Sequence, residues 1–202
     1  MFSDKFGLTQ AVLDGRKTMT RRFIPEEIGE VHYRPTVANC HFFADKNDHE
    51  VSPTYHIGEI VAIAQSYKEI KQDMEMLYVG RKATEWQEHI YNCMINLPYN
   101  HAGWNNKMFV RPDLMPHQIK ITGIKVERLQ DINHEECLKE GIGKFHDMLH
   151  PILIEYGWRV LGRRETFSSE KIAFAALINK LSGKGTWDKN PYVFAYDFKL
   201  IQ

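Results

Sequence analysis

Cysteine is scarce. Cys40, Cys93 and Cys137 are the only three in 202 residues, odd in number, far apart and without a C-x-x-C pair. A disulfide framework or a cysteine zinc site needs more thiols, or closer ones, so the expectation is a soluble protein of a reducing compartment, the cytoplasm. Net charge is absent as well. Twenty-six basic residues balance twenty-six acidic ones, which excludes a polybasic nucleic-acid wrapper or an acidic tail as the whole-chain reading but leaves room for a local patch. No uncharged apolar run approaches the ~20 residues of a membrane-spanning helix. Met1-Phe2-Ser3-Asp4-Lys5 lacks the apolar stretch of a secretory signal. Repeats, low-complexity tracts and domain linkers are missing too, so residues 1–202 read as one domain. What the chain has in quantity is apolar surface: 43% hydrophobic and 12% aromatic residues can bury a core and exclude disorder.

Periodicity predicts a short helix over Leu8 to Asp14 ended by Gly15, then a strand over residues 18–23 in which Thr18, Thr20 and Arg22 share one face and Met19, Arg21 and Phe23 the other. Residues 24–56 show no sustained period and read as an irregular insertion. Gly58 to Ala64 reads as a buried strand. Residues 68–95 read as helical, with stripes at Ile70, Met74 and Leu77, then Trp86, Ile90, Cys93 and Met94, and a break at Gly80. Gln118 to Asp131 is a strand whose apolar parity switches at Gly123, where a bulge or bend is expected. Asn133 and Glu136 form a capping box that starts a helix ending at Gly141. Ser169 to Leu181 reads as a helix with Ile172, Ala176, Leu177 and Leu181 on one side. Tyr192 to Ile201 alternates strictly and reads as a half-buried strand, Asp197 and Lys199 facing out. Strands at both ends with helices between them predict an α+β fold.

The most unusual stretch is Gly15-Arg16-Lys17-Thr18-Met19-Thr20-Arg21-Arg22, with four cations and two hydroxyls in eight residues and no acid between Asp14 and Glu26. Guanidinium forks, a lysine, hydroxyls and turn amides are the groups that bind phosphate. The same pattern also suits a charged edge strand that resists pairing with a second sheet. His146 and His150 stand four apart, but Asp147 replaces the glutamate of H-E-x-x-H and no third ligand is evident, so they read as surface histidines and no metal or cofactor is expected. Tyr99, Trp104 and Phe109 either stack a nucleobase or anchor their loop. Met74, Met76 and Leu77 read as core.

Taken in order, several blocks resemble ASCH-domain proteins, relatives of the PUA-like RNA-binding barrels. They are Leu13 to Arg22, Gly58-Glu59-Ile60-Val61, Asn106 to Arg111, Lys125 to Ile132, Glu136 to Ile142, and Trp187 to Phe194. The larger, phage- and prophage-associated branch is the one this chain resembles, with variable insertions at about 24–56, 67–105 and 143–185. The resemblance implies a PUA-like (ASCH) small β-barrel with flanking helices, helical and irregular insertions, and a cleft lined by the basic motif. Small members of that family hydrolyse N4-acylated cytidine. Their functional lysine, threonine and glutamate match Lys17, Thr20 and Glu140 here, although this chain is roughly twice their length.

Two functional expectations follow. One is an RNA-, nucleotide- or modified-nucleoside-binding domain that uses Arg16, Lys17, Thr18, Arg21 and Arg22. The other is an amidohydrolase acting on an acylated nucleoside. There Thr20 needs a neighbour to take its proton, and Lys17 serves only if its pKa falls well below the ordinary ~10.4. Lys17 and Thr20, three apart, meet only if the chain turns between them, so Thr20 and Glu140 distinguish the two readings.

Overall fold

The structure, a computed structural model, describes residue 2 and residues 6–35, 41–78, 84–146, 156–160 and 165–201. Gly80, Asp147, His150 and Cys40 of the reading above lie outside the described residues, as do the side chains of Met76, Leu77, Trp86 and His146. The chain divides into two compact units, one of residues 1–2, 60–119 and 200–202, the other of residues 3–59 and 120–199.

The architecture is α+β. β1 (Met19–Phe23), β4 (Ile60–Ala62), β5 (Gln118–Arg128) and β8 (Tyr192–Ile201) form a curled antiparallel half-barrel sheet of order β1-β8-β5-β4. All four strands were expected in one sheet. β4 differs in burial: Ile60 is 56% exposed, as fits an edge strand with one side unpaired.

β8 is the centre of that sheet and is more deeply buried than its alternation suggested. Val193, Phe194, Ala195 and Tyr196 are all buried, so both faces of this stretch are covered. On one face, in register with Arg22 and Thr20 of β1, Phe194 and Tyr196 stand as partners. Phe43 packs edge-on to Phe194 at 5.0 Å and Tyr55 edge-on to Tyr196 at 5.4 Å. On the other face α4 (His134–Lys139) packs beside β1, with α5 (Glu170–Ser182) against α4.

Residues 24–56 are not irregular throughout. β2 (Val31–Pro35) and β3 (His41–Asp45) pair as an antiparallel hairpin that buries Val31 and Phe43. A second unforeseen hairpin joins β6 (Ile142–His146) to β7 (Tyr156–Val160). Both hide in the sequence because each strand is five residues long, too short for alternation to stand out. α5 has its expected bounds but another buried face: Ala173, Phe174, Leu177 and Ile178 are inside, while Ile172 and Leu181 are 50% and 40% exposed. The i, i+3, i+4 stripe through Phe174 buries the larger ring and wins the core.

In the smaller unit α2 (Tyr67–Tyr78) and α3 (Glu85–Ile95) pack on one another. Their core holds Tyr67, Ile70, Met74, Ile90, Met94 and Trp104. No helix among the described residues is long and apolar enough to cross a membrane.

Candidate functional site

The basic motif begins where α1 (Leu8–Leu13) ends. Gly15 takes φ +69°, a left-handed turn that costs a side-chain-bearing residue about 1–2 kcal/mol. That turn sends both the Arg16 and Lys17 amides back to the Ala11 carbonyl at 2.9 Å. The chain then straightens: the Thr18 amide donates to the Lys139 carbonyl, and the Thr18 carbonyl accepts from the Phe198 amide, each at 2.9 Å. An extended segment alternates its side chains, so Lys17, Met19 and Arg21 fall on one face and Thr18, Thr20 and Arg22 on the other.

The first face does not open onto an anion. Lys17 is 2% exposed and donates to the Glu140 backbone carbonyl at 3.0 Å and to the Glu140 carboxylate. Arg21, also buried, spreads its guanidinium over three carboxylates. Nη1 reaches Glu140 Oε1 at 2.9 Å, and Nη2 reaches Glu136 Oε2 at 2.8 Å and Glu127 Oε1 at 2.6 Å. Lys125 closes the network through Glu127 Oε2 at 2.6 Å and the free oxygen of Glu136. Three cations therefore meet three carboxylates, and the set is electroneutral. Phe174 covers Arg21, with the guanidinium carbon 5.7 Å from the ring centre.

Local sequence explains each position. Glu136 and Glu140, four apart, share a face of α4 and its C-cap. Asn133 caps α4 through the Glu136 amide at 3.0 Å, and Glu136 returns a bond to the Asn133 amide at 3.3 Å, so one carboxylate serves both cap and network. Gly141, at φ +94°, ends the helix directly after Glu140, and a Cβ built there would lie 3.9 Å from Lys17 Cβ. Lys125 and Glu127, two apart on β5, share a strand face.

Electrostatics divide the two buried cations. Burial pulls the Lys17 pKa below its ordinary value, and Glu140 recovers only part of the loss. Burial works on Arg21 in the same sense, but Glu140 and Glu127 outweigh it and hold the guanidinium above its ordinary value. Glu136 is disfavoured by burial, yet Lys125, the Asn133 amide and Arg21 keep it below the usual carboxylate range. Cys137, on the same helix, is pushed up to about 12 by burial and the Glu170 charge, so its thiol is no nucleophile at neutral pH.

Of the predicted catalytic residues, Lys17 and Glu140 are brought together. Thr20 stands on the opposite face of β1, paired with Tyr196. Of the predicted anion ligands, Lys17 and Arg21 are committed to carboxylates. Arg16 is 43% exposed in its side chain and pairs with Asp14, while Thr18 and Arg22 are half-buried. Lys125, Glu127 and Glu136 complete the network unforeseen as site residues. The i, i+2 spacing on a strand and the i, i+4 spacing on a helix were the signals that could have found them.

In the loop of the smaller unit, Trp104 is buried as an anchor, while Tyr99 and Phe109 are 75% and 62% exposed. No group of three metal-ligating side chains stands together as a cation site among the described residues. Comparison with protein-family models, curated proteins and solved structures yields no match to this chain.

Proposed function

We propose that the chain is an ASCH-type, PUA-like domain of the larger phage- and prophage-associated branch that binds RNA, a nucleotide or a modified nucleoside beside Gly15 to Arg22. The observation that carries the reading is how that segment is held. Lys17 and Arg21 are pinned by three glutamates, which fixes the backbone that carries Arg16 at the turn and Thr18 and Arg22 on the extended segment. Because Lys17 and Arg21 are buried among carboxylates, phosphate attraction falls to Arg16 and Arg22, which phosphate must draw from the partners they already hold. The exposed Asp14 partner of Arg16 is a weak competitor, since exposed ion pairs contribute roughly 0–1 kcal/mol. Affinity then falls with salt at a shallow slope, about two counterions rather than four. The test is a titration of labelled single-stranded RNA and nucleotides. Arg16→Glu with Arg22→Glu weakens binding about tenfold or more, and Lys46→Glu with Lys184→Glu does not. Equal effects of the two pairs refute it.

A second reading, hydrolysis of N4-acylated cytidine or a related acylated nucleoside, is favoured by the contact of Lys17 with Glu140 and by the lowered lysine pKa, which moves the amine toward proton acceptance. In it Thr20 Oγ attacks the acyl carbon as Lys17 takes its proton. The C–N4 bond breaks, the proton passes to the leaving amine, and water releases the acid. Glu140 orients the lysine. This reading ranks second because Thr20 lies across β1 from the pair. Thr20→Val keeps the shape of a buried strand residue and removes only the hydroxyl. If threonine is the nucleophile, turnover of N4-acetylcytidine disappears with an unchanged melting temperature and returns in Thr20→Ser. Undiminished turnover in Thr20→Val removes threonine from the chemistry.

A further inference from the structure

A groove of about 170 Å³ opens in the larger unit, with none of the buried ion network's residues in its lining. Arg128 forms one wall, its guanidinium carbon 3.9 Å from the centre of the Tyr192 ring. The wall is built rather than incidental. Arg128 Nη1 donates to the Asn190 carbonyl at 3.1 Å, Asn190 adopts a left-handed φ of +46°, and its side-chain oxygen accepts from the Gln130 amide at 2.8 Å. Pro25 and Pro191 add flat apolar surface. The rim carries both signs: Glu26 meets Lys189 at 3.2 Å, and Glu30 is exposed beside them.

We infer that this groove is a subsite for a planar nucleobase bearing an exocyclic amine. A guanidinium has two faces. Tyr192 occupies one, and the exposed side of Arg128 offers the other for stacking on a base. Two carboxylates and two cations leave the groove without net charge, so it gives phosphate no net attraction and the base edge is what fits. Glu30 accepts from an exocyclic amine, and Lys189 donates to a ring carbonyl. Cytosine presents both groups on one edge; uracil lacks the amine. The groove therefore prefers cytosine over uracil. The inference deepens the nucleoside-binding reading but places base recognition on residues separate from Arg16 and Arg22.

The base can come from a free nucleoside or from single-stranded RNA, and calorimetric titration of the full chain with cytidine, oligocytidine and oligouridine separates the sources. The expected result is oligocytidine binding about fivefold or more above oligouridine. Arg128→Gln lowers oligocytidine affinity about tenfold, and Glu30→Gln erases the preference for cytosine over uracil. Free cytidine that binds with the same dependence on Arg128 identifies a nucleoside site; binding by the oligomer alone identifies an RNA site. Glu30→Gln lies on an exposed side chain and keeps the test open if Arg128→Gln disturbs the Asn190 turn. Ultraviolet cross-linking of oligocytidine, mapped by peptide mass, places the adduct on the Tyr192 peptide. Loss of binding with Arg16→Glu and Arg22→Glu but none with Arg128→Gln or Glu30→Gln overturns the subsite and leaves the proposed function standing. The reverse pattern overturns the role of Arg16 and Arg22 and keeps the groove. No binding of any of the three probes overturns both.

Discussion

Removing the Lys17 ammonium tests whether the buried network is a set of matched charges. Lys17→Met keeps an unbranched chain of similar length and deletes the charge. Glu140 then loses its lysine at one carboxylate oxygen and at its backbone carbonyl, and retains Arg21 at the other oxygen. The lysine and glutamate side chains are 2% and 6% exposed, so water screens little of the loss. Breaking a buried pair by one partner costs about 3–5 kcal/mol. Glu140→Gln leaves the lysine facing a neutral amide and costs a similar amount. The double variant costs no more than one single, because Arg21 still has Glu127 and Glu136 and the remaining charges balance. The coupling energy is thus at least about 3–5 kcal/mol. In urea denaturation with a slope of about 2–3 kcal/mol/M, each single variant moves the midpoint down by about 1–2 M, and the double variant by no more than that. Single losses below ~1 kcal/mol, or losses that simply add, refute the matched-charge account.

Three other outcomes follow from the same geometry. The folded-state pKa of Glu136 lies below its unfolded value. Its stabilisation is therefore complete above the unfolded value of 4.5 and disappears as pH falls through the folded one, so urea midpoints of Glu136→Gln vary less than wild type between neutral pH and about pH 3. Gly141→Ala forces a side chain into φ +94° and loses at least ~1–2 kcal/mol by thermal or urea unfolding; an unchanged midpoint shows that the turn after Glu140 is not fixed. Cys137, buried and with its thiol held at about 12, stays unmodified by a thiol reagent in the native protein at about pH 8 and reacts once urea unfolds it; native labelling at this residue, located by peptide mass, contradicts the buried placement.

The sheet strands and the caps were legible because they rest on local signals. The alternation of Tyr192 to Leu200 marked β8, and Asn133 with Glu136 marked the start of α4. The pairs 31–35 with 41–45 and 142–146 with 156–160 were not, since such short strands carry too little periodicity. The site was half legible. Four cations in Gly15 to Arg22 announced unusual electrostatics, but a cation's partner is set by tertiary pairing. Arg21 finds Glu127 and Glu140 at separations of 106 and 119 residues, and no local pattern reports that. Of the four cations read as anion ligands, Lys17 and Arg21 are held inward by carboxylates, while Arg16 and Arg22 lie off that buried face.

The position of β8 bears on how the protein is made. It is the last of the described strands in chain order, yet it lies inside the sheet between β1 and β5. Until residues 192–201 have left the ribosome, β1 has no neighbour to pair with, and the pairing of Met19 through Phe23 with Asp197 through Val193 cannot begin. The earlier segments must wait with open strand edges, a state that invites intermolecular pairing. Completion of this sheet therefore waits for residues 192–201 to emerge. A chain stalled or truncated before Tyr192 is expected in the aggregate, with β1 detached, rather than as a shortened native domain.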